Sequence, residues 1–99
     1  QFSETDMPQG LTINCPDTAQ KPGTSVTITG TTPNCAQTTY QASRDGGSVA
    51  IDAVSCSGGN FEIKLTAPPC RQPPSTNIVT VSVTCAGSTT LCSFVLDCP

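Results

Sequence analysis

The chain has no histidine and no tryptophan, a single tyrosine, three phenylalanines, and charged residues at only 11% of its positions. Without histidine there is no Ser-His or Cys-His nucleophile system, and the commonest metal ligand is missing. The four bases, Lys21, Arg44, Lys64 and Arg71, are scattered singly in a chain of net charge −3. Nucleic acid needs a clustered basic surface, so it is not an expected partner. No apolar run approaches the 18 residues of a membrane-spanning helix, so no membrane insertion is expected within the sequence. The asparagines at 14, 34, 60 and 77 all lack the hydroxyl residue of an N-glycosylation sequon. No leader is visible, and Gln1 reads as a terminus left after signal-peptide removal.

Leu, Ile, Val and Phe together number 19 of 99 residues, enough for one domain with a thin core. Low charge argues against disorder. The compensation is cysteine, of which there are seven. In a chain this short they read as the disulfide frame of a secreted, extracellular protein. Zinc is the competing use. Structural zinc sites favour C-x(2–4)-C pairs, whereas the spacings here are 20, 21, 14, 15, 7 and 6. No metal and no cofactor is implied.

The apolar pattern has period two, which places alternate side chains on opposite faces of a strand. Leu11, Ile13 and Cys15 alternate in a first short strand. Residues 24–32 form a second, with Val26 and Ile28 inward. Residues 37–43 form a weaker one around Tyr40, ended by a turn at Asp45-Gly46-Gly47. Residues 48–56 change face, which predicts a bulge or break near Asp52. Ser57-Gly58-Gly59-Asn60 reads as a two-residue hairpin turn, placing Cys56 opposite Phe61 and Val54 opposite Ile63. The last two strands, 77–85 and 92–98, pair in a register with Cys85 opposite Cys92, Val83 opposite Phe94, Val81 opposite Leu96 and Val79 opposite Cys98. About seven short strands with no helical period predict an all-β antiparallel sandwich over 11–99. Residues 1–10 are set apart by Pro8 and Gly10. They read as an N-terminal arm that docks on a neighbouring subunit through Phe2 and Met7.

The segments GTSVTITGTT, GGNFEIKLTAPP and NIVTVSVTCAG, in that order, resemble the bacterial-type immunoglobulin-like modules of extracellular surface and adhesin proteins. They share a G-x-x-V-x-I-x-G-T opening, a glycine turn before an F-x-I-x-L strand, and a late V-x-V-x-V strand. The resemblance spans residues 22–87 and implies an Ig-like sandwich with an extracellular life. The chain departs from antibody domains in lacking Trp, and from typical bacterial modules in its cysteine content.

The register makes Cys85–Cys92 the first expected disulfide. Cys15 and Cys98, on the core faces of the first and last strands, are the second expected pair. Cys56–Cys70 and Cys35–Cys70 both remain open, and Cys35 is the candidate free or intermolecular cysteine. The odd thiol is either buried and inert or a link between subunits.

The seven acids are dispersed, and no motif marks a catalytic centre, so no enzymatic activity is expected. Serine and threonine number 26, and the proline-rich stretch 67–76 is the expected site of O-linked glycans. The sequence therefore points to a non-enzymatic structural module, a self-assembling subunit or repeat of a surface fibre, filament or adhesin. It would associate through the arm and the sheet edges. The alternative is a secreted monomer that recognises a protein or glycan through loops 33–36, 67–76 and 86–91.

Overall fold

Alternating branched and hydroxyl residues fold as strands whose apolar half points into a core. The computed structural model describes residues 10–72 and 76–99, and within them lie eight strands. These are β1 (Thr12–Asn14), β2 (Ser25–Thr31), β3 (Thr38–Arg44), β4 (Gly47–Val49), β5 (Ala53–Ser57), β6 (Asn60–Thr66), β7 (Ile78–Cys85) and β8 (Ser88–Val95). One sheet has the order β1-β2-β6-β5 and the other β4-β3-β7-β8, every neighbouring pair being antiparallel. In immunoglobulin notation this is A-B-E-D facing C′-C-F-G, so the chain is an Ig-like antiparallel β-sandwich. The face change near Asp52 is a break rather than a bulge. The chain leaves the second sheet after β4 and enters the first as β5, so what reads as one strand in sequence is two.

Val26, Ile28, Phe61, Ile63 and Leu65 from the first sheet meet Ala42, Val79, Val81, Val83 and Phe94 from the second, and Leu96 closes the edge. Each such side chain contributes about 1.5–3 kcal/mol on burial. Ordering each backbone residue opposes this by about 1–2 kcal/mol. A core this small is therefore near balance, and covalent cross-links are the natural supplement.

Three hairpins turn on two residues each: Asp45-Gly46 (φ 52 and 79), Gly58-Gly59 (φ 59 and 83) and Ala86-Gly87 (φ 51 and 83). Paired positive φ values are what a type I′ turn requires, and that turn matches the twist of the flanking strands. The second hairpin has the predicted register, with Cys56 opposite Phe61 and Val54 opposite Ile63. The third does not. Cys85 stands opposite Ser88, Val81 opposite Cys92 and Val79 opposite Phe94. The shift is four residues. An even shift keeps every side chain on its face, so the apolar pattern tolerates both registers, and the tight Ala86-Gly87 turn decides between them.

The strand directions give the sandwich two poles. At one pole lie Gly10, the loop from Thr32 to Gln37, and the turns Gly58-Gly59 and Ala86-Gly87. At the other lie the Asp45-Gly46 turn, the connection from β6 to β7, and the tail after β8. The segment before β2 also reaches the second sheet. Gln20 pairs in parallel with Leu96, its N–H donating to the Val95 carbonyl at 2.8 Å and its own carbonyl accepting from Asp97 at 2.8 Å. Residues 1–9 of the expected arm, including Phe2 and Met7, lie outside the described residues.

Candidate binding cleft and its disulfide frame

Three disulfides hold the frame: Cys15–Cys92, Cys35–Cys56 and Cys70–Cys98. All three pairings differ from the sequence expectation, and the free cysteine is Cys85 rather than Cys35. The four-residue register shift separates Cys85 from Cys92 by roughly 13 Å along the strands, beyond the ~7 Å Cα limit of a disulfide. The parallel match of Gln20 with Leu96 brings Cys15, five residues back, to the level of Cys92 instead of Cys98. Cys98 lies past the end of β8 and meets Cys70 in the β6–β7 connection. There the Leu96 N–H donates to the Asn77 carbonyl at 2.8 Å and so aligns the two segments. Cys35 is carried to Cys56 because Thr32, at the start of its loop, donates its N–H to Gly59 at 2.8 Å. Neither Cys56–Cys70 nor Cys35–Cys70 forms.

Cys85 is buried on β7, where antibody domains place one half of their inter-sheet disulfide. The facing positions of β2 are Val26, Ile28 and Gly30, so Cys85 packs as a small apolar side chain, its Sγ 3.8 Å from the Asn34 carbonyl. Tyr40 packs edge-on to Phe61, ring centroids 5.4 Å apart. Its buried hydroxyl has no hydrogen-bond partner among the described residues. Burial pushes this phenol above its usual value, and the neighbouring Cys85 adds to the effect.

The three loops expected to form a recognition surface do not share one. Residues 33–36 sit at the Gly10 pole, 67–76 at the opposite pole with 73–75 outside the described residues, and only Ala86 and Gly87 of the stretch 86–91 form a turn.

A cleft of about 490 Å³ opens at the pole away from Gly10, between the β3–β4 turn and the start of the β6–β7 connection. Both arginines line it, with Val49, Asp52, Pro68 and Pro69. Arg44, the last residue of β3, is only 6% exposed. Its NH1 donates to the Pro69 carbonyl, and its buried Nε has no partner among the described residues. Asp45, next in sequence, accepts from Thr76 through the N–H at 3.1 Å and the hydroxyl at 2.7 Å. The Thr76 hydroxyl bond, then its N–H, then the charges of Arg71 and Arg44 hold the Asp45 carboxyl below the usual 3.8. Asp52 accepts from the Thr66 hydroxyl at 2.7 Å. Only Glu62 and Lys64 form an ion pair among the described residues, at 3.7 Å on the outer face. Sequence reading left Arg44 as one scattered base. Its burial depends on the β3–β4 turn meeting Pro69, a contact between residues 25 apart that no local pattern carries.

Among the described residues, no group of three or more acidic or cysteine side chains is arranged to hold a metal ion. No helix of the described residues is long and apolar enough to cross a membrane. No family model matches the chain, and no curated protein does. Among solved structures it is similar to a chimeric titin Z1Z2 functionalized with a KLER exogenous peptide from decorin. That likeness has 14% identity and a TM-score of 0.48, covering 88% of this chain and 96% of that one.

Proposed function

We propose that the chain is a non-enzymatic extracellular structural module that associates head to tail, as a subunit or repeat of a bacterial-type surface fibre, filament or adhesin. One observation carries this reading: the described chain enters the sandwich at Gly10 on one pole and ends at Pro99 on the other. A contact between unlike poles that does not close into a ring propagates as a string. Three disulfides in 99 residues suit an oxidising compartment. The absence of histidine and the dispersal of the acids support a non-enzymatic role. The N-terminal arm with Phe2 and Met7 is the element that links one module to the next.

Electron microscopy and sedimentation of the full chain test this. Strings or filaments are the expected outcome. A monodisperse monomer that binds a ligand saturably would replace it with the reading of a secreted binding module. Assembly unchanged after deletion of residues 1–9 would remove the arm from the account.

A further inference from the structure

The cleft at the far pole has the chemistry of a carboxylate receptor. Two of the chain's four basic residues line one depression in a protein of net charge −3. Arg44 as a residue is only 6% exposed, and among the described residues its guanidinium has one carbonyl partner and a buried Nε with none, a state that an accompanying anion would favour. Asp45 lies close enough to feel both charges and Asp52 lines the same cleft, but their carboxylates bond Thr76 and Thr66, and neither forms an ion pair with Arg44 or Arg71. Val49, Pro68 and Pro69 give the same cleft apolar walls. The recess therefore suits an acidic peptide that carries apolar residues beside its carboxylates.

The sequence contains one such segment outside the described residues. Residues 1–9, QFSETDMPQ, place Glu4 and Asp6 between Phe2 and Met7. This segment joins the sandwich at Gly10, on the pole opposite the cleft. Nine residues span at most about 30 Å. A strand of eight residues such as β7 already takes about 27 Å, so reaching the cleft of its own sandwich would exhaust the segment before it rounded either pole. A second copy stacked pole to pole lies well within reach.

We propose that the Arg44–Arg71 cleft receives the acidic N-terminal segment of a second copy of this chain, with Glu4 and Asp6 supplying the carboxylates and Phe2 or Met7 packing on the apolar walls. This rests on the head-to-tail reading above and adds its receptor surface. Arg71 is exposed and Arg44 is held from behind by Pro69, so Arg71 is the residue to alter without disturbing the fold.

The test uses the full chain as wild type, as R71E, and as E4K/D6K, in sedimentation velocity at low ionic strength. The wild type self-associates, and each variant alone weakens association about tenfold or more. An equimolar mixture of the two variants restores it, because each carries the charge the other needs. The melting temperature of R71E stays within about 3 °C of wild type. If the wild type associates and R71E associates equally well, the cleft is not the receptor, and the head-to-tail reading stands. If the wild type is a monomer, the head-to-tail reading falls. The cleft is then judged by a labelled peptide of residues 1–9 titrated onto E4K/D6K with and without R71E. Saturable binding lost with R71E upholds an acidic-peptide site. No binding, or binding indifferent to R71E, overturns it.

Discussion

The ring of Phe61 occupies the space that a side chain on Gly30 would need. The two residues are paired across β2 and β6, and a Cβ built on Gly30 would meet Cζ of that ring and the carbonyl of Thr12, with Cε2 at 2.9 Å. Gly30 lies in a strand interior, where glycine is ordinarily unfavourable. Here the missing side chain lets β1 and the aromatic ring close over the same backbone.

Gly30→Ala is therefore expected to destabilise the domain by about 2–3 kcal/mol, through displacement of Phe61 or separation of β1. Urea unfolding checks this, and a variant as stable as wild type would refute it. Loss of β1 alone would appear as faster amide exchange at Ile13 and Asn14 with Val26 and Ile63 still protected.

The hydroxyl of Tyr40 is buried without a partner among the described residues, while its ring is held by Phe61. Tyr40→Phe keeps the ring contact and removes an unpaired polar atom, so its stability should match or exceed wild type by up to about 1 kcal/mol. A loss larger than that would show that the hydroxyl has found a partner.

Cys85 is the one free thiol among the seven cysteines. Native protein should resist alkylation at this site. Denatured, unreduced protein should take one label, and no disulfide-linked dimer should appear on a non-reducing gel. Among the bridges, Cys15–Cys92 closes the longest loop, a separation of 77 against 21 and 28. In the chain-entropy model its removal costs about 4.5 kcal/mol and that of either other bridge about 3.5 kcal/mol. Melting temperatures of the three paired Cys→Ala variants should fall in that order.

Asp45 ties the β3–β4 turn to Thr76, just ahead of β7, and its carboxyl is held below the usual 3.8. A depressed carboxylate contributes stability that is fully present above its unfolded value and is lost as pH falls through its folded value. The protection factor of the Thr76 amide, its exchange measured against the intrinsic rate at each pH, should therefore hold at pH 5 and above and fall as the pH is taken below 3.8. Asp45→Asn should abolish that pH dependence. An unchanged profile in the variant would remove Asp45 as its cause.

The inward faces of β2, β6 and β7 are legible in the sequence because branched residues alternate there without interruption. Two turns are legible for the same kind of reason, since Asp45-Gly46 and Gly58-Gly59 are residues that accept positive φ. Ala86 is not such a residue, and its positive φ of 51° hides the third turn inside what looks like a six-residue loop. One hidden turn displaced the register by four, and the displaced register misassigned the partners of Cys85 and Cys92. The cleft was beyond sequence reading altogether. It exists because Arg44 at a strand end meets Pro69 across the pole, a meeting set by the sandwich as a whole.

The Cys15–Cys92 bridge has a mechanical consequence. A pull applied to Cys15 and Cys98 would not be borne by the 82 residues between them, because the load passes through the disulfide and then along only the six residues that follow Cys92. That covalent path has a contour of about 20 Å of backbone plus the 5.8 Å Cα separation across the bridge, close to the length of a strand in the folded sandwich. The module is thus almost inextensible while the bridge is oxidised. Tension could melt its core and still gain next to no length. Under a reductant the same pull would release most of the chain, so compliance would be set by redox chemistry rather than by folding stability.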